Sequence, residues 1–317
     1  MTRFSKVLVV GGAGFVGSHI VDRLVSEGVE VTVLDNLFAG NMENLARHEG
    51  NPNFHFIKGD VRNLELVKNL VKDVEAVFNE AAIVSVPRSI ENPLLTNEVN
   101  TCGTLNLLKA CVDSGIKRYV QASSASVYGE TQKPPIREDT ATNPLSPYAV
   151  AELASEGYTQ AFYRCYGLET VALRYFNVYG PRQVMNAYSG VIMIFLNRLT
   201  QNAQPTIYGD GKQTRDFVYV EDVVQANMLA LTTQKATGQV FNIATGKPQT
   251  INQLLKNLQT KLNKQNLRAI HKPARKGDIQ HSYASIEKAE KTLGYKPKYS
   301  LTIGLNKLVD WKQTQKI

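Results

Sequence analysis

The stretch that decides the fold is KVLVVGGAGFVG, residues 6–17, where a β-rich run passes directly into a glycine-rich loop. Gly11 permits the tight turn after the strand, Gly14 allows a pyrophosphate to approach the backbone, and Gly17 lets the following helix pack closely on the strand. The amide groups at the N-terminus of that helix, including those of Phe15 and Val16, would then face phosphate charge. This pattern predicts a dinucleotide site.

Strand and helix patterns alternate from Met1 to Tyr175, which predicts a parallel sheet with crossover helices. The expected strands are residues 6–10, 30–34, 53–58, 76–79, 118–122 and 170–174, and the long helices are residues 14–27, 96–114 and 146–166. After residue 174, proline and glycine break the pattern into shorter elements. We expect an α/β fold, a Rossmann-type doubly wound parallel sheet (residues 1–175) with a smaller C-terminal substrate-binding lobe (residues 176–317), whose segments can interleave.

Composition narrows the class of protein. Hydrophobic residues make up 43% and charged residues 20% of the 317 residues, as in a globular domain. No apolar run approaches the ~18 residues of a membrane span, and no DNA-binding motif accompanies the net charge of +8. The three cysteines lack CxxC spacing and are expected to be small buried residues in a reducing compartment. We therefore expect a cytoplasmic protein without nucleic-acid or membrane partners and without a metal site.

Acidic residues after the second and third strands indicate which dinucleotide binds. Asp35 follows the glycine loop by about 20 residues, the spacing at which a carboxylate accepts hydrogen bonds from the adenosine ribose. It would repel a 2′-phosphate, and its neighbour Asn36 offers no arginine to receive one, so NAD is favoured over NADP. Asp60, followed by Val61, is placed to contact the adenine amino group.

The motifs GGAGFVG, GDV, SSASVYG, PYAVA, RYFNVYGPR, RDFVYVEDV and PARKGD occur in this order along nearly the whole chain. With them the sequence resembles the extended short-chain dehydrogenase/reductase superfamily. Within that superfamily it is most similar to NAD-dependent nucleotide-sugar epimerases, of the UDP-glucose/UDP-N-acetylglucosamine 4-epimerase type. The resemblance implies tightly held NAD, a UDP-sugar substrate, and a homodimer joined through helices 96–114 and 146–166.

The resemblance also implies the chemistry. Tyr148 would take the proton of the sugar 4-hydroxyl, directly or through Ser124, while hydride passes to NAD and returns to the other face of a transient 4-keto sugar. Related 4,6-dehydratases carry an acidic pair after the serine. Ala125 and Ser126 occupy those positions here, so the groups needed for dehydration are missing.

Further site residues follow from the same resemblance. Four would lie near the cofactor: Ala81, Ala82, Asn100 and Tyr175. Five would bind the nucleotide diphosphate: Asn177, Tyr208, Arg215, Arg275 and Asp278. Ser85 and Arg88 would lie near the hexose, and the small Ser282 would leave space for a 2-acetamido group where plain-hexose epimerases carry tyrosine.

Three positions depart from the family pattern. Glu152 stands one helical turn after Tyr148, where the family has a lysine that lowers the pKa of the tyrosine. A carboxylate about 6 Å away would oppose the phenolate by roughly 2–3 kcal/mol. Asn79 replaces a histidine, and Val84 replaces a lysine seen in hexose epimerases. Two alternatives therefore stay open: a catalytically impaired protein that binds NAD and a nucleotide sugar, and a UDP-uronate 4-epimerase.

Overall fold

The fold is organised around a seven-stranded parallel sheet with the strand order β11-β6-β5-β4-β1-β2-β3. The computed structural model describes residues 4–130, 134–184, 190–274 and 279–315. The strands are β1 (Lys6–Val10), β2 (Glu30–Asp35), β3 (Phe54–Lys58), β4 (Ala76–Asn79), β5 (Arg118–Ser124), β6 (Thr170–Tyr175), β7 (Asn177–Tyr179), β8 (Thr206–Tyr208), β9 (Thr214–Arg215), β10 (Phe217–Tyr219), β11 (Gln239–Ile243), β12 (Gln249–Thr250), β13 (Ile270–Lys272) and β14 (His281–Ser282). The helices are α1 (Phe15–Ser26), α2 (Leu64–Val71), α3 (Val86–Glu91), α4 (Pro93–Thr96), α5 (Gly103–Asp113), α6 (Pro147–Tyr166), α7 (Val191–Thr200), α8 (Val220–Thr232), α9 (Ile251–Leu262), α10 (Glu287–Leu293) and α11 (Leu301–Thr314).

Helices cover both faces of this sheet, which explains why its central strands are continuous apolar runs. On one face, apolar side chains of α1 and α8, such as Leu24 and Val223, pack against Val9 and Phe78 of the sheet. On the other face, side chains of α2, α5 and α6 form a second core. The predicted α/β doubly wound fold is confirmed, and the six expected strands occur within two residues of their predicted ends.

Two features of the chain path add detail to the sequence prediction. The expected helix at residues 96–114 contains a π-helical segment, Asn97–Cys102, before α5. Strand β11 and helix α8 return from the C-terminal half, so β11 pairs with β6 in the main sheet and α8 packs on α1. The segments of the two expected regions therefore interleave at this edge of the sheet.

The remaining C-terminal elements form a smaller lobe with its own apolar core. Helices α7, α9 and α11 bury leucines such as Leu196, Leu254 and Leu308 together. Short strand pairs and one three-stranded sheet, β12-β9-β14, lie beside these helices. Among the described residues, no helix combines the length and apolar character of a membrane span.

The expectation that all three cysteines are buried is wrong for two of them. Cys111 is buried in α5, whereas Cys102 and Cys165 are exposed. Cys102 belongs to the π-helical segment and Cys165 to the last turn of α6, where helix periodicity turns their side chains away from the sheet.

Candidate active site

The glycine loop after β1 is held in a form that only glycine allows at two positions. Gly11 has a φ of +78°, and a Cβ there would lie 2.7 Å from the amide nitrogen of Ala81. A Cβ on Gly17 would lie 2.3 Å from the carbonyl oxygen of Gly11. The loop therefore brings the ends of β1 and β4 together, at the point where the strand order reverses and open α/β sheets bind ligands.

A cavity of about 280 Å³ opens at this point. Its wall includes nearly all of the cofactor residues that the sequence predicts around the adenosine half: Gly11, Gly14, Asp35, Asn36, Val61, Ala81 and Ala82. Phe15 and Val16 begin α1 and are partly buried against the core of the C-terminal lobe. A glycine loop, a helix N-terminus and a carboxylate meeting at one cavity fit a dinucleotide such as NAD.

The two predicted acidic contacts differ in their surroundings. Asp35 is buried and accepts hydrogen bonds from the amides of Ala13 (3.0 Å) and Leu37 (2.7 Å). Burial raises the pKa of Asp35, and these two bonds oppose the rise. Asp60 is more exposed and forms an ion pair with Arg62 at 2.9 Å, which lowers the pKa of Asp60 to about 2. Asp60 is thus a fixed negative charge already held by a neighbouring arginine.

The predicted catalytic serine and tyrosine lie together at the carboxyl edge of the sheet. Ser124 ends β5, and its Oγ accepts a hydrogen bond from the amide of Ser126 at 3.1 Å. Ser146 caps α6 through the amide of Ala149, which places Tyr148 in the first turn. Tyr148 is buried, and its phenol lies near Ser124. Burial raises the pKa of the Tyr148 phenol most, nearby Glu152 raises it further, and the nearby Ser124 hydroxyl lowers it.

Glu152 is enclosed beside this pair and is 5% exposed. Its Oε1 accepts a hydrogen bond from Asn100 Nδ2 at 2.8 Å. Burial raises the pKa of Glu152 to about 8; the Asn100 bond lowers it, and the charge of Glu156 raises it. In most molecules the Glu152 carboxyl therefore holds a proton at pH 7. The electrostatic penalty on the Tyr148 phenolate is correspondingly smaller there than a full carboxylate would impose.

The π-helical segment positions Asn100 between α6 and the cofactor cavity. Asn100 Oδ1 accepts from the amide of Ile83 at 2.8 Å, and Asn100 O accepts from Ser155 Oγ at 2.8 Å. Since π-helical turns often occur at functional sites, this segment explains how one asparagine can connect the wall of the cavity to Glu152.

A second acidic residue of α6, Glu156, has a structural role. Glu156 is bound by Arg174 through two hydrogen bonds of 2.6 and 2.8 Å, and it also accepts from Ser123 Oγ. All three side chains are buried, and the guanidinium neutralises Glu156. This network ties α6 to β5 and β6 below the active-site pair.

Sequence reasoning missed Glu80, which directly follows β4 and lines the cofactor cavity. Tyr175 Oη donates to Glu80 Oε1 at 2.8 Å, and Asn227 Nδ2 donates to Tyr175 Oη at 2.8 Å. Burial raises the pKa of Glu80 to about 8, the Tyr175 bond lowers it, and Glu152 raises it. The available signal was an acidic residue immediately after a central parallel strand, at the ligand-binding edge of the sheet.

Asn79 and Val84, the other two departures from the family pattern, lie in different environments. Asn79 is buried, and its Nδ2 donates to Thr104 Oγ1 (3.0 Å) and Gln121 Oε1 (3.1 Å), so it ties β4 to β5 and α5. Val84 is 72% exposed. In the part of the chain that the structure describes, no lysine or arginine is among the interactions that shift the pKa of Tyr148 or Glu152.

Two predicted sugar contacts lie at the start of helix α3. Ser85 caps α3 by accepting from the amide of Arg88. The guanidinium of Arg88 lies 4.5 Å from the ring centroid of Phe38, which lines the cofactor cavity. Arg88 therefore lies against the cofactor side of the cleft, with its place relative to a sugar still a prediction.

The predicted nucleotide-diphosphate residues lie on short strands of the C-terminal lobe. Arg215 and Ser282 are directly paired between β9 and β14. Asn177 begins β7, next to Asp216, and Tyr208 ends β8. Arg215 Nη1 donates to the carbonyl oxygens of Thr214 and Ile279, which fixes the orientation of the guanidinium. Arg275 and Asp278 lie outside the described residues.

The similarity to known proteins extends over nearly the whole chain. A family model described as GDP-mannose 4,6 dehydratase matches residues 8–308. The chain is 41% identical over 307 residues to a putative UDP-glucose 4-epimerase of Methanocaldococcus jannaschii, covering 96% of this chain and 97% of that one.

Two solved structures share the fold over nearly their whole length. One is a UDP-N-acetylglucosamine 4-epimerase from Methanobrevibacter ruminantium in complex with UDP-N-acetylmuramic acid, with a TM-score of 0.93, 39% identity, and coverage of 98% of this chain and 99% of that chain. The other is a UDP-glucose 4-epimerase of Thermus thermophilus in complex with NAD, with a TM-score of 0.87, 37% identity, and coverage of 97% and 99%.

The family model carries the name of a dehydratase, but the turn after Ser124 contains Ala125 and Ser126 in place of an acidic pair. The Ser126 hydroxyl is buried, without a hydrogen-bond partner among the described residues. This chain belongs to the extended short-chain dehydrogenase/reductase superfamily, in the family matched by the GDP-mannose 4,6 dehydratase model and among its nucleotide-sugar epimerases.

Proposed function

We propose that the protein is an NAD-dependent 4-epimerase of UDP-sugars, and hence an isomerase. The observation that carries the proposal is the proximity of Tyr148 and Ser124, located at the same sheet edge as the dinucleotide cavity. The sequence similarity to named UDP-sugar 4-epimerases supports it. The missing acidic pair after Ser124 disfavours dehydration.

The residues present support the following proposal for the proton-transfer steps. NAD, when bound, supplies an acceptor and donor of hydride. Tyr148 acts as the base for the sugar 4-hydroxyl, and Ser124 relays or orients that proton because its hydroxyl lies near the phenol. Protonated Glu152 keeps negative charge away from Tyr148 at neutral pH, and Asn100 holds its carboxyl in place.

The cofactor residues favour NAD over NADP. Asp35 is buried at the rim of the cavity, where its carboxylate repels a 2′-phosphate. Gly11, Gly14 and the N-terminus of α1 would receive the pyrophosphate. Ala81 and Ala82 follow β4 and line the cavity beside Glu80. Tyr175, at the end of β6, donates a hydrogen bond to Glu80.

The C-terminal lobe supports a preference for sugars with space at C2. Ser282 pairs with Arg215 in adjacent strands, so a small side chain stands beside the proposed diphosphate-binding arginine. We propose that N-acetylated UDP-hexoses are accepted together with plain ones. Asn177, Tyr208, Arg275 and Asp278 are proposed to complete the nucleotide site, with Ser85 and Arg88 on the hexose side.

A catalytically impaired protein that binds NAD and a nucleotide sugar is the second candidate. Glu152 is the observation that favours it, because the described site lacks the cation that would stabilise the Tyr148 phenolate. Among the residues that the structure describes, no specific contact favours the UDP-uronate alternative.

Product analysis by NMR separates these functions. Purified protein is incubated with NAD and, in separate samples, UDP-N-acetylglucosamine, UDP-glucose and UDP-glucuronate, and the 4-epimer is measured from its anomeric proton signal. We expect epimers of the first two sugars, with Tyr148→Phe as the inactive control. Sugar binding without any epimer over a wide pH range would contradict the epimerase and support the impaired protein. An epimer from the uronate alone would support the remaining alternative.

We further propose a homodimer joined through the helical segments at residues 96–114 and α6. Val150 (52% exposed) and Tyr158 (40% exposed) on α6 support this, since apolar side chains on a long helix often mark an interface. Light scattering of the wild type and of Val150→Glu tests it, and a monomeric wild type would refute it. A cytoplasmic location and the lack of a nucleic-acid partner stay predictions.

A further inference from the structure

Arg62 belongs to a small network of charged side chains beside the cofactor cavity. It lines the cavity together with Asp35 and Asn36, the residues predicted to meet the adenosine half of the dinucleotide. Arg62 Nε lies 2.9 Å from Asp60 Oδ1, and Arg62 Nη1 lies 3.1 Å from Glu98 Oε2. Because Glu98 is part of the π-helical segment, this one arginine joins the chain after β3 to that segment.

The carboxylate of Asp60 is fully used by its neighbours. An ionised carboxylate offers about four acceptor sites, two on each oxygen. Oδ1 accepts from the amide and the Nε of Arg62, and Oδ2 accepts from Arg62 Nη2 and Asn36 Nδ2, all at 2.9 Å. Among the described residues, Gly59, Val61 and Arg62 line the cavity, whereas Asp60 does not. Asp60 therefore holds Arg62 and Asn36 and has no acceptor site left for an adenine amino group.

The cavity wall around Arg62 suits a flat aromatic base. Four apolar residues line the cavity beside the arginine: Leu34, Val61, Leu95 and Val99. A guanidinium packs favourably on the face of a base. Asp60 and Glu98 use three of the five side-chain N–H groups of Arg62, which orients the guanidinium and leaves two donors.

Stability alone does not account for this network. The side chains of Asp60, Arg62 and Glu98 are 26–55% exposed, and ion pairs at such exposure contribute little to stability. A guanidinium held by three hydrogen bonds at a cavity is, by contrast, pre-organised for a ligand, because little side-chain freedom is left to lose on binding.

We propose that Arg62 binds the adenine of the cofactor, with its guanidinium packed on the ring, and that Asp60 is a positioning residue that acts through Arg62. This assignment replaces the predicted contact between Asp60 and the adenine amino group. It rests on the proposed NAD-dependent function and deepens it, because it names the side chain that recognises the base. Packing on the ring does not involve the amino group, so a base that lacks this group should depend on Arg62 and Asp60 to the same extent as adenine.

Calorimetric titration of the full-length protein, freed of bound nucleotide, tests this assignment. The ligands are NAD and nicotinamide hypoxanthine dinucleotide, in which an oxo group replaces the adenine amino group. The variants are Arg62→Ala, Asp60→Ala and the double variant, together with Arg62→Lys, which keeps the charge and loses the planar fork. Arg137→Ala, a change at an exposed arginine of another ion pair, is the matched control.

We expect Arg62→Ala to weaken the binding of both dinucleotides about tenfold, as the loss of stacking on one base predicts. Arg62→Lys should recover only part of this loss, and Arg137→Ala should bind both dinucleotides as the wild type does. Asp60→Ala should weaken both to the same extent. The double variant should bind no more weakly than Arg62→Ala alone, because the effect of Asp60 passes through Arg62.

Two results would overturn the inference. One is wild-type affinity for NAD in Arg62→Ala or, if that variant does not fold, in Arg62→Lys. The other is an Asp60→Ala variant whose affinity for NAD falls by more than about threefold relative to its affinity for the hypoxanthine analogue, since a direct contact with the amino group predicts this selective loss. If the wild type binds neither dinucleotide, the proposed function fails as well; if it binds NAD and epimerises UDP-sugars but gives either of these results, only this inference fails.

Discussion

Glu152→Gln should stabilise the protein, and its effect should increase with pH. Glutamine keeps an oxygen that accepts from Asn100 Nδ2, which contacts Glu152 Oε1 at 2.8 Å, but it carries no ionisable group. Glu152 is 5% exposed, so the wild type must either keep a proton on this carboxyl or bury a negative charge. Both options cost free energy as the pH rises, and the substitution removes that cost.

The magnitude follows from the two protonation equilibria. Burial raises the pKa of Glu152 from 4.5 to about 8, so the folded state binds a proton more tightly than the unfolded state. Between these two values the unfolded state binds fewer protons, and the free energy of unfolding therefore falls as the pH rises. At 1.36 kcal/mol per pKa unit, the destabilisation by Glu152 is about 1 kcal/mol at pH 5 and about 4 kcal/mol at pH 8.

Urea unfolding at pH 5 and pH 8, followed by circular dichroism, measures this difference. Glu152→Gln should gain about 3 kcal/mol relative to the wild type between the two pH values. Glu287→Gln, a change at an exposed glutamate, should stay within about 0.5 kcal/mol of the wild type at both. An advantage of Glu152→Gln that is equal at pH 5 and pH 8, or larger at pH 5, would show that Glu152 is ionised in the folded protein throughout, and the reasoning would be refuted.

Three other substitutions test the site. Glu152→Lys should raise the 4-epimerase rate near pH 7 by about tenfold and move the acidic limb of the pH–rate profile downward, because a cation lowers the pKa of Tyr148; a slower variant beside a brisk wild type would show that Glu152 has a positive role. Asp35→Ala should weaken NAD binding and reduce discrimination against NADP in calorimetric titrations, and unchanged NAD affinity would remove Asp35 from the cofactor site. Ser282→Tyr should depress kcat/KM for UDP-N-acetylglucosamine far more than for UDP-glucose, whereas an equal loss on both sugars would exclude Ser282 as the residue that admits the acetamido group.

The sequence by itself determined the elements and the cofactor loop, since both depend on neighbouring residues. The apolar run at Lys6–Val10 and the spacing of Gly11, Gly14 and Gly17 specify a strand, a tight turn and a helix without reference to the rest of the chain. The same holds for the start of α6, where Ser146 caps the helix and a proline follows it. Helical spacing also placed Tyr148 and Glu152 on one face.

Tertiary structure alone decided the electrostatic character of the site. Glu80 and Glu152 are far apart in sequence and influence each other only because β4 ends and α6 begins at the same edge of the sheet. Sequence spacing says nothing about how much water reaches a carboxyl group, and loss of that water raises the pKa of both acids to about 8. From the sequence Glu152 was a negative charge beside the base; in the folded protein it is, at neutral pH, mostly a neutral acid held by Asn100. The return of β11 to the main sheet likewise depends on pairing with β6, a contact between segments that lie far apart along the chain.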